Sequence, residues 1–150
     1  MTMTNYRFIL IAALSAFAIY LTESAGAQTC RVTAGVSSDG SRSYKEVYEY
    51  DYAEEKPTFP GGDTQLVSFI NKTRRYPASA YQRGVEGRVT CSFVVNADGS
   101  ISNITVLKGV EPSLNQEAIR IFSKMPDWEP GRINGQPVPV RVVWPVPFRK

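Results

Sequence analysis

Histidine is absent from the 150 residues, which removes the only side chain whose unperturbed pKa lies near neutrality. Without imidazole there is no Ser-His or Cys-His nucleophile pair and no histidine-ligated metal. Cysteine is nearly as scarce. Two residues are too few for a four-ligand zinc site, and no carboxylate pair at helical ligand spacing supplements them. The acids that cluster, Glu46 with Glu49 and Glu54 with Glu55, stand in a polar, proline-bounded stretch that favours solvated carboxylates over a buried acid/base pair. Gly61-Gly62 follows Pro60 rather than a strand, so it is not a phosphate-cradling loop. The basic residues neither run together nor interleave with aromatics on one element, which argues against nucleic acid as a partner. These absences point to a binding protein rather than an enzyme, without a cofactor or metal.

The longest apolar run falls short of a membrane span. Phe8 to Leu21 is 14 residues, roughly 21 Å as a helix against a hydrocarbon core of roughly 30 Å. Arg7 before it and Ala25-Gly26-Ala27 after it complete the pattern of an export signal cleaved before Gln28. An uncleaved inner-membrane anchor is the competing reading. Lipidation at Cys30 is disfavoured, because Gln28 and Thr29 stand where a lipobox has small residues. The expected organisation is a signal peptide over 1–27, a leader over 28–56 with a strand at 44–52, and one exported domain over 57–150.

Charge is distributed unevenly along the chain. Tyr44 to Asp63 holds six acids and two lysines, net −4, whereas Thr64 onward holds 12 basic and six acidic residues, net +6. An acidic lead could lie against a basic body in cis, or each could steer a charged partner, or both could be solvated faces. Cys91 alternates with Val89, Phe93 and Val95 and so points into the core. In an oxidising compartment a disulfide from Cys30 to Cys91 would pin the leader to the sheet; two buried or idle thiols are the alternative.

Gln28 to Ser43 reads as a polar leader, and Tyr48, Tyr50 and Tyr52 alternate as one aromatic strand face. Asp63 can cap a helix carrying Leu66, Phe69 and Ile70 and ending near Arg74. Pro77 and Gly84 bracket a second, short helix over Ala78 to Arg83. Arg88 to Val95 and Ile101 to Leu107 form a hairpin about Asn96-Ala97-Asp98-Gly99. Ser113 and Gln116 make a capping box for a helix burying Leu114, Ala118, Ile121, Phe122 and Met125, which Pro126 ends. Trp128-Glu129-Pro130-Gly131 turns the chain, and Val138 to Phe148 is the last strand. The fold class is α+β in two layers, with helices on one face of a three-stranded antiparallel sheet.

Proline parity in that last strand carries further information. Prolines 137, 139, 145 and 147 are all odd-numbered, and N–H groups of alternate residues point to the same edge. One edge therefore keeps every donor and should pair inside the sheet. The other retains only Arg141, Val143 and Arg149, so the strand should lie at the edge and accept a partner strand only across Arg141, Val142 and Val143.

The order Phe59-Pro60-Gly61-Gly62, Tyr76-Pro77, Gly84-Val85-Glu86-Gly87-Arg88-Val89, Asp98-Gly99, Met125-Pro126-x-Trp128-x-Pro130-Gly131, then Val138 and Phe148, resembles the TonB C-terminal domain over about residues 57 to 150. The FPGG variant is similar to TonB-like energy transducers of Bacteroidetes-type bacteria. The resemblance implies a TonB/TolA C-terminal-like fold that binds the TonB box, an extended segment of TonB-dependent outer-membrane transporters, by strand addition. It further implies coupling to an inner-membrane motor, in support of energy-coupled transmembrane transport. The contact residues it implies are Arg75, Tyr76 and Pro77, Arg75 standing where the enterobacterial form has glutamine. A helix-initiating turn is the plain alternative for Tyr76-Pro77. With a leader of 29 residues in place of a long spacer, the expected partners are a transporter and an anchored TonB homologue or motor component. A homodimer, and a secreted structural or inhibitory module without energy coupling, stand as alternatives.

Overall fold

The computed structural model describes Thr29–Val36 and residues 42–150, with side chains from Lys45 onward. The export-signal reading of residues 1–27 lies outside the described residues. In chain order the elements are strands β1 (Thr29–Val36) and β2 (Arg42–Glu49), a 3-10 turn at Tyr50–Tyr52, and helices α1 (Gly62–Thr73) and α2 (Ala78–Gln82). Strands β3 (Gly87–Val95) and β4 (Ile101–Lys108), helix α3 (Pro112–Ser123), and strands β5 (Gly131–Ile133), β6 (Gln136–Val138) and β7 (Val140–Phe148) follow.

The expected hairpin forms one end of the sheet. β3 pairs antiparallel with β4 on one side and with β7 on the other, from Gly87↔Phe148 to Val95↔Val140. Alternation puts Val89, Cys91, Phe93 and Val95, all 0% exposed, on the helix-covered face with Val142, Val146 and Phe148. Leu66 and Ile70 of α1, Ala80 of α2, and Leu114, Ala118, Ile121 and Phe122 of α3 close the core over them. Burying one such phenylalanine contributes about 2 to 3 kcal/mol. Phe93 also contacts Phe122 and Trp128, with ring centroids 5.1 and 5.4 Å apart.

The three-stranded antiparallel expectation covers only part of the sheet. The described sheet has five strands in the order β1-β2-β7-β3-β4, because the polar leader also forms strands. β1 pairs antiparallel with β2, and β2 pairs parallel with β7 at Tyr48↔Val140 and Glu49↔Arg141. β7 is therefore an interior strand, not the edge strand that its prolines suggested. The hairpin curls across the face opposite the helices: Lys45 Nζ donates to Asn96 Oδ1 at 2.7 Å, and β1 comes close to β4. Val47 and Val94, outside the main core cluster, are thereby 0% and 1% exposed.

Local chemistry moved several boundaries. The expected 44–52 strand stops at Glu49, and Tyr50 and Tyr52 are exposed in the 3-10 turn rather than on a strand face. Gly61, at φ +83°, takes the position before α1, so Asp63 lies in the first turn and does not cap. Likewise Glu111 precedes α3 and Pro112 opens it, leaving Ser113 inside the helix with its hydroxyl donating to Glu111. The last strand is broken at Pro139 into β6 and β7, with β5 and β6 forming a separate ribbon about Asn134-Gly135, both at positive φ.

The Cys30–Cys91 disulfide is not formed: Cys91 is a free, buried thiol on the helix side of β3, where burial pushes its pKa up to about 11. Cys30 is on β1, opposite Val47 of β2, and its side chain lies outside the described residues. β2 and β7 stand between the strands that carry the two cysteines.

Candidate partner-binding site

The residues singled out for partner contact lie at the two ends of one strand. Arg75, Tyr76 and Pro77 form the link from α1 to α2, beside the C-terminal end of β7. Tyr76 packs edge-on against Phe148 with centroids 5.8 Å apart and against Tyr81 at 5.5 Å. Its hydroxyl donates to the Val85 carbonyl at 2.5 Å, and desolvation, with Glu86 nearby, holds the phenol above its usual pKa. Pro77 does precede a helix, α2, so the link also serves as a helix-initiating turn. Arg141, Val142 and Val143 lie near the other end of β7. Val142 points into the core, Arg141 is half-buried and Val143 is 46% exposed. From Val142 to Phe148 is six residues, roughly 20 Å of strand, so the two clusters share an edge rather than a pocket.

The link is held from behind. Glu117 on α3 is 9% exposed, and its carboxylate accepts the Arg75 backbone N–H at 2.7 Å and two bonds from Arg120 at 2.6 and 2.7 Å. Arg120 also donates to the Thr73 carbonyl at 2.6 Å. Burial opposes the Glu117 charge, but the hydrogen bonds from Arg120 and from the Arg75 backbone prevail and hold its pKa below the ordinary value. This network fixes the backbone just before Tyr76, leaving the Arg75 side chain exposed. Nothing in the local sequence announces it, because Glu117 reads as one more polar helix position.

Hydrogen bonding settles which edge each residue faces. Tyr48 N–H donates to the Pro139 carbonyl at 2.9 Å, so odd-numbered residues of β7 turn their backbone groups toward β2 and even-numbered ones toward β3. The donor-rich edge thus pairs inside the sheet, as proline parity implied. Arg74 confirms the odd direction by donating its guanidinium to the Pro147 carbonyl. Beyond Arg141 the odd edge has no strand partner among the described residues. Next to it, Val67, Ile70 and Asn71 of α1, with Arg88, Trp144, Pro145 and Pro147, line a mostly apolar cleft of about 320 Å³.

The acidic leader lies against the basic body in cis, at least in part. Arg141 pairs with Glu49 at 2.9 Å and Arg132 with Glu55 at 3.8 Å, while Glu54 accepts the Asn134 N–H at 2.8 Å.

Residues 72–149 match the family described as Gram-negative bacterial TonB protein C-terminal, and the chain belongs to it. Over 44 residues, 29% of the chain, it is 51% identical to the TonB proteins of Helicobacter pylori strains J99 and 26695. That stretch spans only 16% and 15% of those relatives. Two solution structures of the H. pylori TonB C-terminal domain are also similar. One is 28% identical with a TM-score of 0.46, covering 58% of this chain and 78% of that one. The other is 29% identical with a TM-score of 0.44, covering 57% and 89%.

Proposed function

We propose that this chain is a non-enzymatic TonB-type protein of the periplasm that supports energy-coupled transport by binding outer-membrane TonB-dependent transporters. The export-signal pattern of residues 1–27 supports the compartment, and membership of the TonB C-terminal family supports the role. The transporter's TonB box would lie as an added strand along the odd edge of β7, from Arg141 and Val143 toward the link at Arg75, Tyr76 and Pro77.

The observation that carries this reading is a strand edge unpaired, among the described residues, beyond Arg141, with Val143 near one end and Arg74, next to the link, bonded to the Pro147 carbonyl at the other. An extended backbone fits that edge, whereas a compact ligand would not reach both ends. Titration of the purified chain with TonB-box peptides, followed by amide chemical shifts, tests it. Shifts should concentrate at Val143, Trp144, Tyr76 and Arg75. Saturable shifts confined to β4, or none at all, would remove β7 as the docking strand.

A further inference from the structure

The odd edge of β7 already has an occupant. β2 takes it at Tyr48↔Val140 and Glu49↔Arg141, and the chain then leaves through the turn at Tyr50–Tyr52, which stays close to β7. Among the contacts that hold that end are the Tyr48 N–H bond to the Pro139 carbonyl at 2.9 Å and the Glu49–Arg141 ion pair at 2.9 Å.

Proline decides what is left. On the odd side, Pro145 and Pro147 lack N–H groups, and the Pro147 carbonyl is taken by Arg74. Within β7 only Arg141 and Val143 can both donate to and accept from a strand laid there. β2 is paired at the first, and the second, Val143, lies just beyond the end of that pairing with its side chain 46% exposed.

We propose that β2 is a displaceable cis occupant of the partner edge, so that the leader hairpin and a docked partner strand exclude one another. This rests on the strand-addition reading and adds its regulation. The asymmetry of pairing makes displacement feasible. β3 pairs with β7 along its whole length, whereas β2 pairs at two positions and keeps its own partner, β1, when it leaves. The restraints to be broken include the Tyr48–Pro139 bond, the Glu49–Arg141 pair, the Lys45–Asn96 bond, the burial of Val47 and the approach of β1 to β4. A partner then binds with an apparent affinity scaled by the fraction of molecules whose edge is open.

The test locks the hairpin in place. Glu49 and Arg141 are directly opposite, so Glu49→Cys with Arg141→Cys, in a Cys30→Ser background, allows a disulfide across β2 and β7. Arg141 is replaced in both redox forms, so comparing them isolates the lock. TonB-box peptide should bind the oxidised form about tenfold or more weakly than the reduced form. Separately, in the unmodified chain, the Tyr48 amide should exchange about 100-fold faster than the amides of Phe93 and Val142, through opening of the hairpin alone. Equal affinity in the two redox forms overturns the proposal, as does Tyr48 exchanging only together with Phe93. If neither form nor the unmodified chain binds peptide, strand addition falls, and the Tyr48 exchange rate alone decides whether β2 is displaceable.

Discussion

The carboxylate of Glu117 on α3 accepts the backbone N–H of Arg75, 42 residues earlier in the chain, at 2.7 Å. Through that bond a helix distant in sequence sets the conformation of the link that carries Tyr76. Glu117→Gln keeps the shape but removes the charge that Arg120 and the Arg75 N–H stabilise, and should cost about 2 kcal/mol at neutral pH. The sign with pH follows from a folded-state pKa below the ordinary 4.5. The contribution is fully present above the unfolded value and is lost as pH falls through the lower, folded one. Denaturant melts of both proteins should therefore differ most near pH 7 and converge in acid. A constant difference would mean that shape, not charge, carries the effect.

Gly99 and Trp128 meet through their backbones. Trp128 N–H donates to the Gly99 carbonyl at 2.8 Å, and a Cβ on Gly99, at φ +88°, would lie 2.2 Å from the Trp128 carbonyl oxygen. Gly135 has a similar φ of +73° but nothing within 4 Å of its Cβ position. Gly135→Ala should thus lose only the left-handed conformational cost, about 1 kcal/mol, whereas Gly99→Ala should lose clearly more, about 3 kcal/mol. Thermal melts of the two variants separate backbone strain from the close approach.

The same contact explains why much of the fold was legible. Asp98-Gly99 and Trp128 are dispersed in sequence but adjacent in space, and Phe59 joins them, its ring T-shaped to Trp128 at 5.7 Å. The bridge Thr58↔Glu129 fastens the same two segments. Periodicity gave β3 and α3, whose apolar positions recur on the core side, and Ile, Thr and Val content gave β4, whose Ile101, Ile104 and Val106 are partly buried against the core. Neither gave the partner of β7. The odd edge advertises which donors it lacks, not which strand will cover those that remain, and that depends on a hairpin some 90 residues upstream. β1 was hidden in a stretch read as polar, although Asp39-Gly40, standing between the two strands, is hairpin chemistry. The ribbon at Asn134-Gly135 carried the same signal and was readable. Proline parity gave the edge of β7 that pairs with β3 but not the strand that covers part of the other, while the Glu117 support was illegible because its partners lie on distant segments.

Cys91 should be chemically silent in the folded protein. Its thiol is fully buried and burial raises its pKa to about 11, so thiolate is scarce at neutral pH. A Cys30→Ser variant should react with a thiol reagent only on unfolding, at a rate that follows denaturant concentration. In the unaltered chain, intact mass under non-reducing conditions should lack the two-hydrogen loss of a Cys30–Cys91 bond. Finding that loss would require β3 to turn Cys91 away from the core.

Val143 supplies the sharpest separation of folding from binding. Its N–H faces the odd edge, so removing it takes no bond from the β3–β7 ladder, and Pro145 and Pro147 show that this strand tolerates proline in the same parity. Its side chain is 46% exposed, so little packing is at stake. Val143→Pro should stay folded, with a stability change of about 1 kcal/mol or less, while TonB-box peptide affinity falls about tenfold, the order expected for one lost backbone bond. Val143→Ala keeps the N–H and should bind almost as the parent does. If the proline variant binds normally and remains folded, the partner's backbone is not paired to β7. The exposed edge of β4 then becomes the strand to examine by the same substitution.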